Sequence, residues 1–224
     1  MARARGAADL SATLELAHWV PVSAAEGPHE RFAVWVQGCT LNCPGCCNPE
    51  LFERGRGREL ALAELLEHIH AAMRVHAIEG VTVLGGEPLE QLGGLTALCK
   101  GAQEAGLGVI VFTGFTLAEA RSRPGFAQLW AHVDTLVAGP FSARELEPTP
   151  ALGGRRFIGS RNQDLHHRSD RYADPGLWTG PREAELRIDR AGRVSVHGSP
   201  ELARSLVREL GRDPGLLGPQ RSRE

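Results

Sequence analysis

Residues 31–52 read RFAVWVQGCTLNCPGCCNPELF and combine an apolar run with four closely spaced cysteines. An apolar run that is typical of a buried strand leads directly into Cys39, Cys43 and Cys46, which are spaced CxxxCxxC. Pro44 disfavours the α conformation at the cysteine before it, and the glycine after it permits dihedrals that other residues resist. The segment is therefore predicted to be a loop that points three sulfurs inward.

Three compact thiolates indicate a particular kind of centre. Soft thiolates select zinc, copper(I) or iron–sulfur clusters, and an ordinary [4Fe–4S] electron carrier uses four of them. Three ligands therefore favour a cluster with one iron left open for a substrate. A disulfide is disfavoured because four of the five cysteines fall within nine residues and no signal peptide precedes them. Zinc stays open as an alternative, although no histidine lies between His29 and His68 to supply a fourth ligand.

Two further cysteines need an interpretation. Cys47 directly follows Cys46 and could replace it as the third ligand or serve as a fourth. We interpret Cys47 as a spectator, because adjacent residues would have to reach two corners of one small cluster. Cys99 follows leucines in a predicted helix and is expected to be buried.

A second motif lies at residues 81–89, which read VTVLGGEPL. The apolar residues predict a short strand, and Gly85 and Gly86 then let a ligand approach the backbone where Glu87 presents a carboxylate. Thr113 ends a later predicted strand in the same way. Ligands bind at the carboxyl ends of strands in parallel α/β folds, so this edge is the predicted site.

Residues near position 163 are further candidates. Asn162 and Gln163 carry side-chain amides that could orient a polar ligand at the mouth of a barrel. The neighbouring His166 and His167 are expected to be solvated.

The chain as a whole alternates strand and helix, which indicates a parallel sheet. A helical stripe at Leu62, Leu65, Leu66, Ile69 and Met73 separates the second and third strands. Strands are predicted at residues 14–19, 32–37, 81–84, 108–113, 133–137 and 156–158.

The length of the chain limits the fold. A complete (β/α)₈ barrel takes about 250 residues, so about six units fit and the fold class is α/β with a partial (β/α)6 TIM-like barrel. A terminal hairpin at 186–188 and 194–196 and a helix from 199 to about 210 complete one domain, residues 1–211. Residues 212–224 are expected to form a flexible tail.

Composition excludes several function classes. The 224 residues are 42% hydrophobic and 23% charged, and 25 basic and 27 acidic residues give a net charge of −2. Such near neutrality gives no reason to expect binding to nucleic acid or to an anionic membrane. No apolar run approaches the ~20 residues that span a bilayer. We expect a cytoplasmic protein.

The cysteine loop after the first barrel strand and the GGE motif after the second resemble the radical S-adenosylmethionine (SAM) enzymes. Further motifs narrow the resemblance to activating proteins of anaerobic ribonucleoside-triphosphate reductase, a short branch of the glycyl-radical-enzyme activases. These motifs follow the order of that family over about residues 14–167. They are PVSAAEGPHERFAVWVQGCTLNCPGC (21–46), CxNPE (46–50), TGFT (113–116), DTLVAGPF (134–141) and GSRNQDLH (159–166).

The resemblance implies a mechanism and its cofactors. Cys39, Cys43 and Cys46 would hold a [4Fe–4S] cluster, SAM would chelate the open iron, and the segment of Gly85, Gly86 and Glu87 would bind the methionine amino group. An external one-electron reductant such as flavodoxin or ferredoxin would start the cleavage of SAM to a 5′-deoxyadenosyl radical, which abstracts hydrogen from a glycine of a large partner enzyme.

Two departures from the family pattern leave alternatives open. Cys47 stands where the family usually has an aromatic residue or histidine, and Ala138 stands where it usually has an aspartate that could accept a hydrogen bond from the SAM ribose. The chain could therefore be a radical SAM tailoring enzyme that acts on a peptide or natural product. A non-catalytic iron–sulfur or zinc-binding module is the alternative of another class.

Overall fold

The structure of the protein is a computed structural model, which describes residues 8–188, residue 192 and residues 194–212. The predicted tail lies outside these residues except for Arg212. Nine strands are described: β1 (Thr13–Ser23), β2 (Arg31–Val36), β3 (Arg58–Ala61), β4 (Gly80–Gly85), β5 (Gly108–Thr113), β6 (Thr135–Ala138), β7 (Asp164–His167), β8 (Ala184–Ile188) and β9 (Val194–Gly198). Five α-helices accompany them: α1 (Leu62–His76), α2 (Leu92–Glu104), α3 (Leu117–Ser122), α4 (Phe126–Trp130) and α5 (Pro200–Arg212).

The described chain forms a mixed α/β fold with a central seven-stranded sheet in the order β3-β1-β2-β4-β5-β6-β7. The four strands β2, β4, β5 and β6 are parallel, whereas β1, β3 and β7 pair antiparallel with their neighbours. The first two strands are antiparallel because only a short connection joins them, whereas a parallel pair needs a crossover of a dozen or more residues. Helical crossovers therefore join only the four parallel strands, fewer than the six units that the sequence predicts.

Two differences from the predicted strands lie near the end of the sheet. Residues 156–158 form an irregular turn and not a strand, since Phe157 has a φ of +66° and the N–H of Arg156 donates to the carbonyl of Trp178 at 2.8 Å. The strand that completes the sheet is instead β7. At the other edge, β3 pairs with β1 and was not predicted.

The predicted helical elements are confirmed. Leu62, Leu65, Leu66 and Ile69 of α1 are buried against the sheet, and Met73 is half-buried. Cys99 of α2 is buried in the same core. Strands β8 and β9 form the predicted hairpin and α5 follows it. None of the helices in the described part of the chain is long and apolar enough to cross a membrane.

The C-terminal hairpin covers the face of the sheet opposite the helices. His197 of β9 packs against Trp35 of β2 at a ring distance of 5.0 Å, and the N–H of Gly198 donates to Glu26 at 2.6 Å. Just before the hairpin, Arg182 donates to the carbonyl of Glu147 at 2.8 Å. The hairpin therefore lies over β1, β2 and their connection, and the residues just before it contact the segment that precedes β7.

Arg31 is a buried cation at the amino-terminal end of the parallel strands. Its side chain is 0% exposed, and its guanidinium donates to the hydroxyl of Thr82 at 2.6 Å, to Glu79 at 3.0 Å and to the hydroxyl of Tyr172 at 2.8 Å. It also donates to the carbonyls of Pro28, Val81 and Gly108. A buried charge is tolerated only when it is paired and hydrogen-bonded, and this one joins three strands to the C-terminal segment.

We expect Arg31→Met to lower the free energy of unfolding by about 3 to 5 kcal/mol, because it leaves buried acceptors without a donor. Urea denaturation of both proteins measures the change. Arg56→Met is the matched control, since Arg56 pairs with Glu53 at the surface with 67% and 68% of the side chains exposed. A surface pair contributes about 1 kcal/mol or less. Equal losses in the two variants would contradict a structural role for Arg31.

Candidate functional site

The cysteine loop is joined to the GGEP segment by backbone hydrogen bonds. The N–H of Glu87 donates to the carbonyl of Gly38 at 2.8 Å, and the N–H of Gly86 donates to the carbonyl of Val36 at 2.8 Å. Because β2 and β4 are parallel neighbours, these bonds fix the carboxyl ends of the two strands to each other.

The two glycines of this segment are required because the backbone at the end of β2 lies very close to them. A Cβ atom on Gly86 would lie 2.3 Å from the carbonyl oxygen of Gly38, and one on Gly85 would lie 2.6 Å from the nitrogen of Val36. Gly85 also has a φ of +108°, which other residues rarely adopt. The two glycines therefore admit the backbone that leads into the cysteine loop, and their predicted contact with a ligand stays a prediction.

The cysteine loop then extends over the ends of the next two parallel strands. Leu41 lies over Gly114 after β5, where a Cβ would be 2.4 Å from the leucine methyl group. Gly45 lies beside Ala143 after β6, where a Cβ would be 3.2 Å from the alanine side chain. The loop therefore lies at the carboxyl edge of the parallel strands, where α/β folds bind ligands.

The cysteines of this loop are thiols. None of the five cysteines forms a disulfide in the structure. Cys39, Cys43 and Cys46 are half-buried and Cys47 is exposed. Within the described ranges, no group of three or more His, Cys, Asp or Glu side chains is arranged to hold a metal ion. The donor set nevertheless fits an iron–sulfur cluster in kind, because three soft ligands share one loop at the predicted edge.

Cys46 and Cys47 interact directly. The thiol of Cys47 donates to Cys46, the N–H of Asn48 adds a contact at 3.5 Å, and together they lower the pKa of Cys46 to about 6. The same hydrogen bond raises the pKa of Cys47 well above its usual range. Burial raises the pKa of Cys39, and the charges of Glu87 and Glu90 add to that effect.

Glu87 faces inward and joins β4 to β5. Its carboxylate, which is only 1% exposed, accepts hydrogen bonds from the N–H of Leu89 at 2.9 Å, the hydroxyl of Thr113 at 2.7 Å and the N–H of Gly114 at 2.8 Å. Burial raises the pKa of Glu87 to about 7 against these bonds. Glu87 and Thr113, predicted as separate SAM contacts, thus form one hydrogen-bonded unit.

Asn162 and Gln163 lie beside the turn that follows β6. The amide of Asn162 donates to the carbonyl of Pro140 at 2.6 Å, and Gln163 accepts from the N–H groups of Gly159 and Ser160 at 3.0 and 3.1 Å. Gln163 therefore fixes the turn. The side-chain oxygen of Asn162 is buried and has no hydrogen-bond partner in the described structure.

The other candidates of this region lie inside the fold. His166 and His167 are half-buried on β7, and the Nδ1 atom of His167 lies 2.8 Å from the hydroxyl of Thr135. They are therefore less solvated than expected. Ala138 is 2% exposed and packs in the core under the helices, where its cross-strand neighbour is Asp164.

Sequence reasoning missed two glutamines that support the loop. Gln37 donates from its side chain to the carbonyl of Glu53 at 2.7 Å, and Gln91 donates to the carbonyls of Glu15 and Gln37 at 3.0 Å. For Gln37, the available signal in the sequence was its position directly after an apolar strand, in WVQG (35–38).

Sequence comparisons find relatives over the part of the chain that forms this site. The 4Fe-4S single cluster domain family matches residues 25–166. The anaerobic ribonucleoside-triphosphate reductase-activating protein of Salmonella typhi is 31% identical over 156 residues, which cover 66% of this chain and 96% of that protein. The pyruvate formate-lyase-activating enzyme of Listeria monocytogenes is 38% identical over 82 residues, or 34% of this chain and 33% of that enzyme.

Among solved structures, QueE from Escherichia coli matches with a TM-score of 0.39 and 15% identity, over 46% of this chain and 53% of QueE. The family assignment comes from the sequence matches, which cover the cysteine loop, the GGEP segment and the strands that place them together. The chain belongs to the radical SAM activases, the family of 4Fe-4S proteins that includes the anaerobic ribonucleoside-triphosphate reductase-activating proteins.

Proposed function

We propose that the protein activates a glycyl radical enzyme, by directing a SAM-derived radical to a glycine of that separate polypeptide. The observation that carries the proposal is the junction of the cysteine loop with the GGEP segment at the carboxyl edge of four parallel strands. The Salmonella relative is an activating protein of an anaerobic ribonucleoside-triphosphate reductase, which supports a partner of that class. In this proposal the open sheet is a shortened form of the radical SAM partial barrel.

Cys39, Cys43 and Cys46 are the proposed ligands of the cluster. Their support is the CxxxCxxC spacing on a loop that the ends of β2 and β4 hold in place. When bound, the cluster and SAM supply one-electron cleavage of SAM, which yields methionine and a 5′-deoxyadenosyl radical. The electron comes from an external reductant of the flavodoxin or ferredoxin kind.

The chain's own residues bind and orient SAM in this proposal. Gly85 and Gly86 present backbone groups at the edge, and the unpartnered oxygen of Asn162 accepts a hydrogen bond from the polar part of the ligand. Glu87 acts through Thr113, because its carboxylate holds the end of β5 beside the end of β4. Gln163 holds the turn that carries Asn162 in place.

One observation favours a second candidate, a radical SAM tailoring enzyme that acts on a peptide. The family match ends at residue 166, whereas the described chain continues to 212 and places a hairpin over β1 and β2, on the face of the sheet opposite the helices. Segments outside the shared domain are where a changed substrate would be recognised.

Replacing each of Cys39, Cys43 and Cys46 by alanine is expected to abolish the cluster, whereas alanine at Cys47 or Cys99 is expected to leave it intact. The reason is that only the first three occupy the spaced positions of the loop. Iron content and the absorption near ~400 nm of a [4Fe–4S] centre, after anaerobic reconstitution, report the result. If the variant without Cys46 retained a full cluster, Cys47 would be the third ligand in place of Cys46.

Glu87→Gln is expected to weaken SAM binding while iron content stays at the wild-type level. A glutamine amide offers one acceptor oxygen, so a donor at Leu89, Thr113 or Gly114 loses its partner and the two strand ends separate. The cost of about 1 to 3 kcal/mol corresponds to about five- to 150-fold in dissociation constant. Anaerobic equilibrium dialysis measures it, with Glu67→Gln on the exposed side of α1 as control. Equal affinities in the two variants would remove Glu87 from the site.

The reduced, SAM-loaded protein is expected to place a stable radical on a glycine of a much larger partner. Electron paramagnetic resonance of anaerobic mixtures with glycyl radical enzymes of the same genome tests this, through the doublet of the remaining glycine α-hydrogen. The Cys43→Ala variant should give no signal. Silent mixtures, together with modification of a small peptide, would replace the activase by the tailoring enzyme.

A further inference from the structure

The carboxylate of Glu90 lies beside the cysteine loop and has no part in the contacts described so far. Glu90 belongs to a short 3₁₀ helix, Pro88–Gln91, that directly follows the GGEP step. Its side chain is only 5% exposed, so its charge is held among protein groups and is poorly screened by water.

Glu90 binds the loop one residue beyond the first cysteine. Its Oε1 atom accepts from the backbone N–H of Thr40 at 3.1 Å and also from the Thr40 hydroxyl. Its Oε2 atom accepts from the guanidinium of Arg54 at 2.7 Å. Both oxygens are therefore used, and the chain next to Cys39 is fixed by charge-assisted hydrogen bonds, which are stronger than neutral ones.

Arg54 holds the residue on the other side of Cys39. Its aliphatic stem lies over Gly38, where a Cβ would be 2.5 Å from the arginine Cγ, and Gly38 has a φ of +91°. The N–H of Cys39 itself donates to the carbonyl of Phe52 at 3.0 Å. Glu90 and Arg54 therefore hold the residues on either side of Cys39, namely Thr40 and Gly38.

We propose that Glu90, paired with Arg54, is a positioning residue that holds Cys39 for the cluster, and that Arg54 offsets the charge of Glu90 there. This rests on the proposed function, in which Cys39 is a ligand. A lone carboxylate at this place disfavours the addition of an electron to the centre, and a lone guanidinium favours it. In the ion pair each charge offsets the other, while both partners fix the loop.

Single substitutions separate positioning from charge. Glu90→Met leaves Arg54 unopposed, so the midpoint potential of the cluster shifts to a more positive value. Arg54→Met leaves Glu90 unopposed, so the potential shifts to a more negative value. Both variants break the same ion pair. If the only effect were a looser loop, the midpoint potentials of both variants would shift in the same direction. Glu53→Met is the control, because it removes a carboxylate from the exposed pair with Arg56 in the same segment.

The rate at which a chelator removes iron reports the positioning itself. Glu90→Met loses both hydrogen bonds to Thr40, and its iron is expected to leave about tenfold faster than that of the wild type. Glu90→Gln keeps one acceptor for Thr40 but loses the charge, so it should show the positive shift of potential with a smaller change of rate. This conservative variant also tests the proposal if Glu90→Met fails to fold.

The experiment uses full-length protein reconstituted anaerobically, with potentials from redox titrations followed by electron paramagnetic resonance. Opposite shifts in the Glu90 variants and Arg54→Met, with the Glu53→Met control unchanged, support the proposal. Shifts in the same direction, or values equal to the control, overturn it while leaving the proposed function intact. A wild-type protein that binds no [4Fe–4S] cluster overturns both.

Discussion

The site depends on one close approach of backbone to backbone, between the end of β2 and the end of β4. Gly86 and Glu87 donate to the carbonyls of Val36 and Gly38 at 2.8 Å, and a side chain at either glycine of the GGEP segment would collide with that backbone. A shift of this junction would move the loop that begins at Gly38 away from the ends of β5 and β6. The spacing of the cysteines is therefore useful only because the glycines of the next strand allow the loop to start there.

The two ends of the parallel strands are stabilised in different ways. At the amino end, Arg31 is fully buried and all its contacts lie within the protein, as expected of a group that stabilises the fold. At the carboxyl end, Glu87 is also buried, but its bonds join two loops that carry candidate ligand contacts. In (β/α)₈ barrels, residues at the amino ends of the strands generally stabilise the fold, whereas residues at the carboxyl ends carry out the chemistry.

Much of this arrangement was predictable from the sequence, because the cysteine loop, GGEP and Thr113 each follow an apolar run that forms a strand. The remainder was not. Strand β3 has a single buried side chain, Leu60, and is a strand only because it pairs with β1. Strand β7, with the sequence DLHH, is at most half-buried and has no apolar alternation. The hydrogen bonds of Glu87 to Thr113 and Gly114 were also not predictable, because they depend on how the ends of β4 and β5 lie beside each other.

The C-terminal segment bears on how a substrate reaches the site. Two parts of the chain cover the inner face of the sheet, which is the face opposite the helices. The hairpin of β8 and β9 lies over β2, and Trp178 packs with Ile110 and Val137 in a core separate from the one under the helices. Helices cover one face of the sheet and these residues cover the other. In the described chain, a large partner can therefore approach the cysteine loop at the carboxyl edge of the parallel strands. An extended loop of another protein can enter at an edge without unfolding the hairpin, whereas access through the inner face would require Arg182 and Gly198 to release their partners. The residues from Trp178 to the hairpin thus restrict the approach to the cysteine loop to the carboxyl edge of the parallel strands.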